Sequence, residues 1–248
     1  MLEPCTNQAA GLQSLALQWV PRLVAVASHG QQQAELPLLW GLCTRWVTMG
    51  LSVVVLDGHT TETHQNHGLL QYLANPLVRA CEEEDPASWS VIPSAQGLAE
   101  LSTNGLFASP LAELFKTYTV VLVYAPADSL TSLLKGASVA PLLVVPPTMS
   151  SALTAYQALK QLLVSGQMHP TVANIVLDAT TMKMPKLMST PAQKVLDCAS
   201  QHLGYSVKAL NITASADNNR QQNDLETLAM QLLENAVPLQ RHPTERVH

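Results

Sequence analysis

Seven short apolar runs recur along the chain, at 23–27, 52–56, 89–92, 119–124, 141–145, 173–177 and 205–210, with helix-sized stretches between most of them. Runs this short suit strands covered on both faces, and strands that alternate with helices return parallel to one another. The pattern predicts an α/β fold, a mostly parallel sheet of about seven strands flanked by helices on both faces. Helices are expected at 69–84, 95–101, 111–115, 150–163 and 191–203, and a last one at 224–236 after a polar loop at 215–224.

The 248 residues suit one large domain, with hydrophobic residues at 47% and charged residues at only 12%. This balance fits a sheet covered by Leu- and Ala-rich helices and excludes a disordered chain. A formal charge of −5 leaves no basic footprint, so nucleic acid is not expected as a general partner. Cys5, Cys43, Cys81 and Cys198 lack metal-ligand spacing, and no basic leader precedes a long apolar stretch. The expected compartment is the cytoplasm. Three regions are read: an N-terminal helix at 1–20, the α/β domain at 21–236 and a flexible tail at 237–248.

The segment from Arg22 to Asp57 reads as strand, loop, helix, strand, which places its loop where a phosphate cradle belongs. Such a cradle needs glycines that let backbone N–H groups converge on the anion, a lysine, and a Ser or Thr hydroxyl for magnesium. Here the loop runs Ser28-His29-Gly30-Gln31-Gln32-Gln33-Ala34-Glu35. Its flanks resemble the MinD and ParA branch of the P-loop ATPases, whose loop reads roughly S-K-G-G-V-G-K-T-T. On that pattern His29 falls on the first lysine and Gly30 is kept, while Gln33 replaces a glycine. Ala34 falls on the phosphate lysine and Glu35 on the magnesium threonine, where a carboxylate would face the phosphates with repulsion. The branch also carries D-x-D after its second strand and D-T-x-x-G after a later one. This chain has Asp57-Gly58-His59 and then Tyr124-Ala125-Pro126-Ala127-Asp128, so one carboxylate is kept and Tyr124 stands at the metal-linked aspartate. The resemblance implies a P-loop fold with a degenerate nucleotide site, no bound cofactor and no ATPase activity.

Within that branch the chain resembles the flagellar MinD-like proteins called FlhG or FleN. Ser90-Val91-Ile92-Pro93-Ser94-Ala95-Gln96-Gly97 is similar to their I-x-P-A-x-x-G segment. Leu142 to Tyr156 is similar to their V-V-x-T-P-E-P-T-S-x-x-D-A-Y segment, with Ala155-Tyr156 in register. Asn7-Gln8-Ala9-Ala10-Gly11-Leu12-Gln13 resembles their N-terminal D-Q-A-x-x-L-R motif at Gln8, Ala9 and Leu12. Asn7 and Gln13 replace its two charged residues. The resemblance implies a regulator of flagellar assembly, number or placement that binds an SRP-type GTPase, FlhF, through this helix. Basal-body proteins are further expected partners. Loss of the motif arginine weakens the case for stimulating the GTPase more than the case for binding it.

Other readings stay open. Asp57, His59, His64 and His67 follow the end of a strand with H-x4-H-x2-H spacing, which suits zinc and a metal-dependent enzyme. A capping role for Asp57 is the competing reading. Backbone donors at the helix start could still hold a nucleotide without hydrolysing it. An ATP-independent homodimer would use an apolar surface near Leu38 and Trp40, against which stands a core role for both. The last helix carries Leu225, Leu228, Ala229, Leu232 and Leu233 on one face and Asp224, Glu226 and Glu234 on its polar face, so it is expected to pack on the sheet rather than touch membrane. Recruitment to the cell pole or inner membrane face is the accompanying expectation.

Overall fold

The computed structural model describes residues 20–76, 89–106, 110–177, 190–206, 209–214 and 218–239. The sheet runs through β1 (Arg22–Ser28), β2 (Val53–Asp57), β3 (Ser90–Pro93), β4 (Val120–Pro126), β5 (Leu142–Val145), β6 (Thr171–Leu177) and β7 (Ala209–Ala214). Their order is β3-β2-β4-β1-β5-β6-β7, with parallel pairing throughout this path. The expected mostly parallel α/β sheet is therefore present. An eighth strand, β8 (Val237–Pro238), pairs antiparallel with Arg22 and Leu23. It lies beside the lower half of β1, whose upper half meets β5 at Val26 and Ala27.

The period-2 alternation of β1 sends Leu23, Ala25 and Ala27 to one core and Val24 and Val26 to the other. On the first face lie α2 (Leu69–Ala74), α3 (Ala95–Asn104), α4 (Leu111–Leu114), α5 (Ala127–Leu133), α6 (Met149–Lys160) and α7 (Pro191–Leu203), contributing Leu69, Leu98, Leu111, Leu130, Leu159 and Val195. On the second lie α1 (Gln32–Thr48) and α8 (Asn218–Glu234), which bury Leu42, Trp46, Leu228 and Leu232. Trp46 is fully buried and donates its indole N–H to the Ala229 carbonyl at 3.2 Å. An Arg45–Glu226 ion pair ties the same two helices at the surface. The last helix thus packs on the sheet, as its apolar face predicts. Among the described residues no helix is long and apolar enough to cross a membrane.

Several boundaries differ from the sequence reading. The strand expected at 205–210 lies at Ala209–Ala214, because Tyr205 still closes α7 through its N–H to the Ala199 carbonyl and stacks on His169. The last helix begins at Asn218, inside the expected polar loop, since its opening turns are Asn-, Gln- and Arg-rich and carry no apolar period. The helix expected over 69–84 stops at Ala74, where Asn75, the residue before Pro76, is extended. Residues 77–84 of that range lie outside the described residues. The tail expected from 237 begins too early: Val237 and Pro238 are strand, and Leu239 is buried with its N–H bonded to the Pro21 carbonyl.

The order of the strands fixes where a ligand site falls. From β1 the chain crosses over β4 to reach β2, and from β4 it crosses over β1 to reach β5. These opposite crossings open a crevice beyond the carboxyl ends of β1 and β4. Ser28, Asp57 and Tyr124 all sit at that rim.

Candidate functional site

The loop between β1 and α1 turns at Gly30, whose φ of +87° is one that side-chain-bearing residues rarely adopt. The N–H groups of His29 and Gln31 then point inward. They meet a carboxylate of the same chain. Glu35, in the first turn of α1, is fully buried and bends back beneath the loop. Its Oε1 accepts from His29 N at 3.1 Å and Gln31 N at 3.3 Å. Its Oε2 accepts from Ser28 Oγ at 2.8 Å and the Tyr124 hydroxyl at 2.6 Å. The sequence reading places Glu35 at the magnesium threonine, facing the phosphates with repulsion. The structure adds that the side chain turns inside the cradle and takes up the donors an anion would use.

His29 closes the other side. Its Nε2 lies 2.8 Å from the Val144 carbonyl, which fixes that nitrogen as a donor, and 3.4 Å from Glu35 Oε1. Its Nδ1 lies 2.8 Å from Thr154 Oγ1 on α6. One imidazole therefore ties the loop to β5 and α6. Tyr124 is also buried. Burial first, then the hydrogen bond to Glu35, pushes its phenol well above the ordinary range, so it stays a donor to the carboxylate. Gln33 is exposed on the first turn, and the Ala34 N–H is spent on the Gln31 carbonyl.

Asp57 caps its own turn, with Oδ1 accepting from His59 N at 3.0 Å and Oδ2 from Thr60 Oγ1 at 2.6 Å. The metal reading of Asp57, His59, His64 and His67 is not supported: among the described residues no group of three or more such side chains is placed to hold an ion. The reason is Glu62, which the sequence reading passed over. Its buried carboxylate accepts from Leu70 N at 3.3 Å, Gln96 N at 2.8 Å and Gly97 N at 2.8 Å, at the starts of α2 and α3. Glu62 anchors the loop from within and leaves His64 and His67 exposed to solvent. His59 stays at the rim, its ring 4.9 Å from that of Tyr124. Its Nε2 is buried without a hydrogen-bond partner.

Beside the loop lies a cleft of about 340 Å³ whose lining includes Gly30, His59, Asp128, Thr154, Gln157 and Gln161. Gln161 opens a π-helical turn, Gln161–Ser165, that continues α6. Of the two residues read as a dimer surface, Leu38 belongs to the core and Trp40 is 56% exposed, its ring 6.2 Å from that of Trp89. The residues that the sequence reading assigns to partner binding, Asn7, Gln8, Ala9, Leu12 and Gln13, lie outside the described residues.

This architecture has counterparts among solved structures. A chain of the MinC:MinD cell division protein complex of Aquifex aeolicus matches 89% of this chain over 99% of its own length, with a TM-score of 0.59 and 14% identity. The chain has the MinD-type P-loop ATPase fold. The MinD cell division protein of the same organism matches with a TM-score of 0.56 at 14% identity, over 88% of this chain and 99% of its own. Cobyrinic acid a,c-diamide synthase of Mycobacterium smegmatis, with an ATP analogue and magnesium bound, matches with a TM-score of 0.52 at 16% identity, over 87% of this chain and 95% of its own. No protein-family model matches the sequence, and no curated protein shows significant similarity to it.

Proposed function

We propose that this MinD-type chain has given up ATP turnover and acts as a protein-binding regulator of flagellar assembly, number or placement. The observation that carries the loss of turnover is the buried Glu35 carboxylate, held by two loop N–H groups and two hydroxyls. ATP with magnesium does not suit these residues. A phosphate entering the cradle would need the donors that Glu35 holds and would meet its charge at close range, an unfavourable interaction of about 4 kcal/mol at 4 Å for a surface-like dielectric. Ala34 supplies no cation, and among the described residues no Lys or Arg lines the adjoining cleft. Asp57 spends both carboxylate oxygens on its own turn.

The flagellar assignment and the partner rest on sequence. The Gln8, Ala9 and Leu12 matches, together with the segments around Pro93 and Tyr156, favour an FlhF-like SRP-type GTPase bound through residues 7–13. Basal-body proteins and a second copy of the chain are further candidate partners. The test is GTP turnover by the cognate FlhF-type protein with and without the full chain, alongside direct binding of the pair and a Gln8→Ala, Leu12→Ala control. Binding that the control abolishes is the expected result, with or without stimulation. No binding would overturn the partner assignment. Magnesium-dependent ATP hydrolysis by the purified chain would overturn the loss of turnover.

A further inference from the structure

His29 joins the loop after β1 to two further elements, and its hydrogen bonds admit two proton counts. The ring is almost fully buried, at 1% exposure. The Val144 carbonyl 2.8 Å from Nε2 can only accept, so Nε2 carries a proton in either case. Nδ1 is different. It lies 2.8 Å from Thr154 Oγ1, and the same hydroxyl lies 3.2 Å from the Ser151 carbonyl, one turn back along α6. A hydroxyl has one proton to give. Given to Ser151, it leaves the Thr154 oxygen as an acceptor, so Nδ1 must donate and the ring is an imidazolium. Given to Nδ1, it makes the ring neutral and takes the hydroxyl away from Ser151.

The charges that face the ring separate these two arrangements. Glu35, on α1, is fully buried and sits 3.4 Å from Nε2, and among the described residues no other cation pairs with it. From β4, Tyr124 donates to the same carboxylate and is held protonated. From the end of β2, Asp57 bears on Tyr124, and the His59 ring lies 4.9 Å from the phenol ring. From α5, Asp128 lines the same cleft as His29. β5 presents a carbonyl and α6 a hydroxyl, and the first turn of α6 has no acidic residue. The anions on this side are thus Glu35, Asp57 and Asp128. A buried carboxylate without a counter-charge is costly, which favours the imidazolium.

We infer that His29 is a proton-operated clasp. With both ring nitrogens protonated it is the counter-ion of Glu35 and ties the loop to β5 and α6. Release of the Nδ1 proton to solvent reverses the Thr154 hydrogen bond, strips the hydroxyl from the Ser151 carbonyl and leaves Glu35 without its cation. The first turns of α6 then loosen. Met149 and Leu153, one turn apart on that stretch, are 58% and 65% exposed, so the clasp governs how firmly an apolar face beside the loop is held. The inference rests on the reading that Glu35, rather than a phosphate, fills the cradle.

The test labels the histidine rings of the full chain with the heavy nitrogen isotope and follows proton–nitrogen correlations from about pH 5 to 8, the interval in which histidine ordinarily titrates. His29→Asn assigns the signal. As pH rises, Nδ1 should lose its proton while Nε2 keeps its own. Amide exchange at Ser151, Thr154 and Ala155, corrected for the intrinsic effect of pH, should rise about fivefold with that loss, the equivalent of one hydrogen bond. Glu35→Gln keeps the shape and removes the charge, and should move the loss of the Nδ1 proton down by about one pH unit or more, the usual effect of a close opposite charge. Thr154→Val, at a half-buried position outside the cradle, removes the acceptor and should give a smaller shift in the same direction while abolishing the link to α6 exchange. A ring that stays neutral throughout, a ring that keeps both protons throughout, a titration that neither substitution moves, or α6 exchange blind to the proton overturns the inference. In each case the loss of ATP turnover stands, since that is read from hydrolysis by the purified chain. Hydrolysis of ATP would overturn the reading beneath it.

Discussion

Removing the Glu35 carboxylate leaves two backbone N–H groups and two hydroxyls facing the space of the lost side chain. Breaking a buried charged network in this way costs about 3–5 kcal/mol, so Glu35→Ala should lower the urea midpoint markedly. Added formate should recover part of the loss, because it can reoccupy the donors. If Glu35→Ala is as stable as the parent, the cradle is not self-filled. Cys43 gives a second test at this scale. Burial pushes its thiol up to about 12 from an ordinary 9.0. The native thiol therefore keeps its proton after the unfolded one has lost it. Stability from this source is complete below the ordinary thiol range and falls by about 1.4 kcal/mol per pH unit as pH rises toward the native value. Tyr124 acts in the same direction at higher pH. Urea unfolding across that alkaline range should show a shallower decline for Cys43→Ala than for the parent chain. The residue types of the loop were legible in sequence. The inward turn of Glu35 was not, because it depends on Ser28 and on Tyr124, a residue 89 positions away whose hydroxyl meets it.

Glu62 works between elements. By accepting from N–H groups at the starts of both α2 and α3 it joins the loop after β2 to two helices, and neither helix has a side-chain cap of its own from the residue before it. Glu62→Ala should raise hydrogen exchange at Leu70, Gln96 and Gly97 and lower stability by about 2 kcal/mol or more, the cost of leaving buried donors unpaired. Unchanged exchange at these amides would refute the anchoring role. The neighbouring glycines fit this close approach: a Cβ at Gly97 would lie 2.7 Å from the Leu69 side chain, and one at Gly68 would lie 2.2 Å from the Pro93 carbonyl oxygen. The strands were readable from apolar runs because burial on both faces leaves little else in them. The alternative metal reading of loop 58–68 rests on the histidines in its composition, whereas its conformation is set by one carboxylate reaching backbone groups 34 and 35 positions away. The opening of α8 was missed for a related reason. Its polar first turns carry no period, and Asp224 is held by the Thr213 N–H at 3.0 Å, a contact that sequence spacing does not announce.

For the molecule as a whole, β1 is the axis on which the parts converge. Its upper end feeds the loop, its flanks pair with β4 and β5, and its lower end is clasped by β8. Truncation after Ala236 removes β8 and the buried Leu239, and should cost about 2–3 kcal/mol from lost apolar burial and pairing. Thermal melts of the truncated and full chains measure this, and equal midpoints would show the clasp to be dispensable. The same clasp fixes where the ends of the chain depart. The Leu239 N–H meets the Pro21 carbonyl, so the attachment points of residues 1–19 and 240–248 are neighbours at the lower rim. Seven residues of β1 separate that rim from the cleft, a span of about 20 Å. A macromolecule gripping the leading segment near its root and a small molecule seated in the cleft would not compete for space. The two could be carried at once, with a single rigid strand as the material between them.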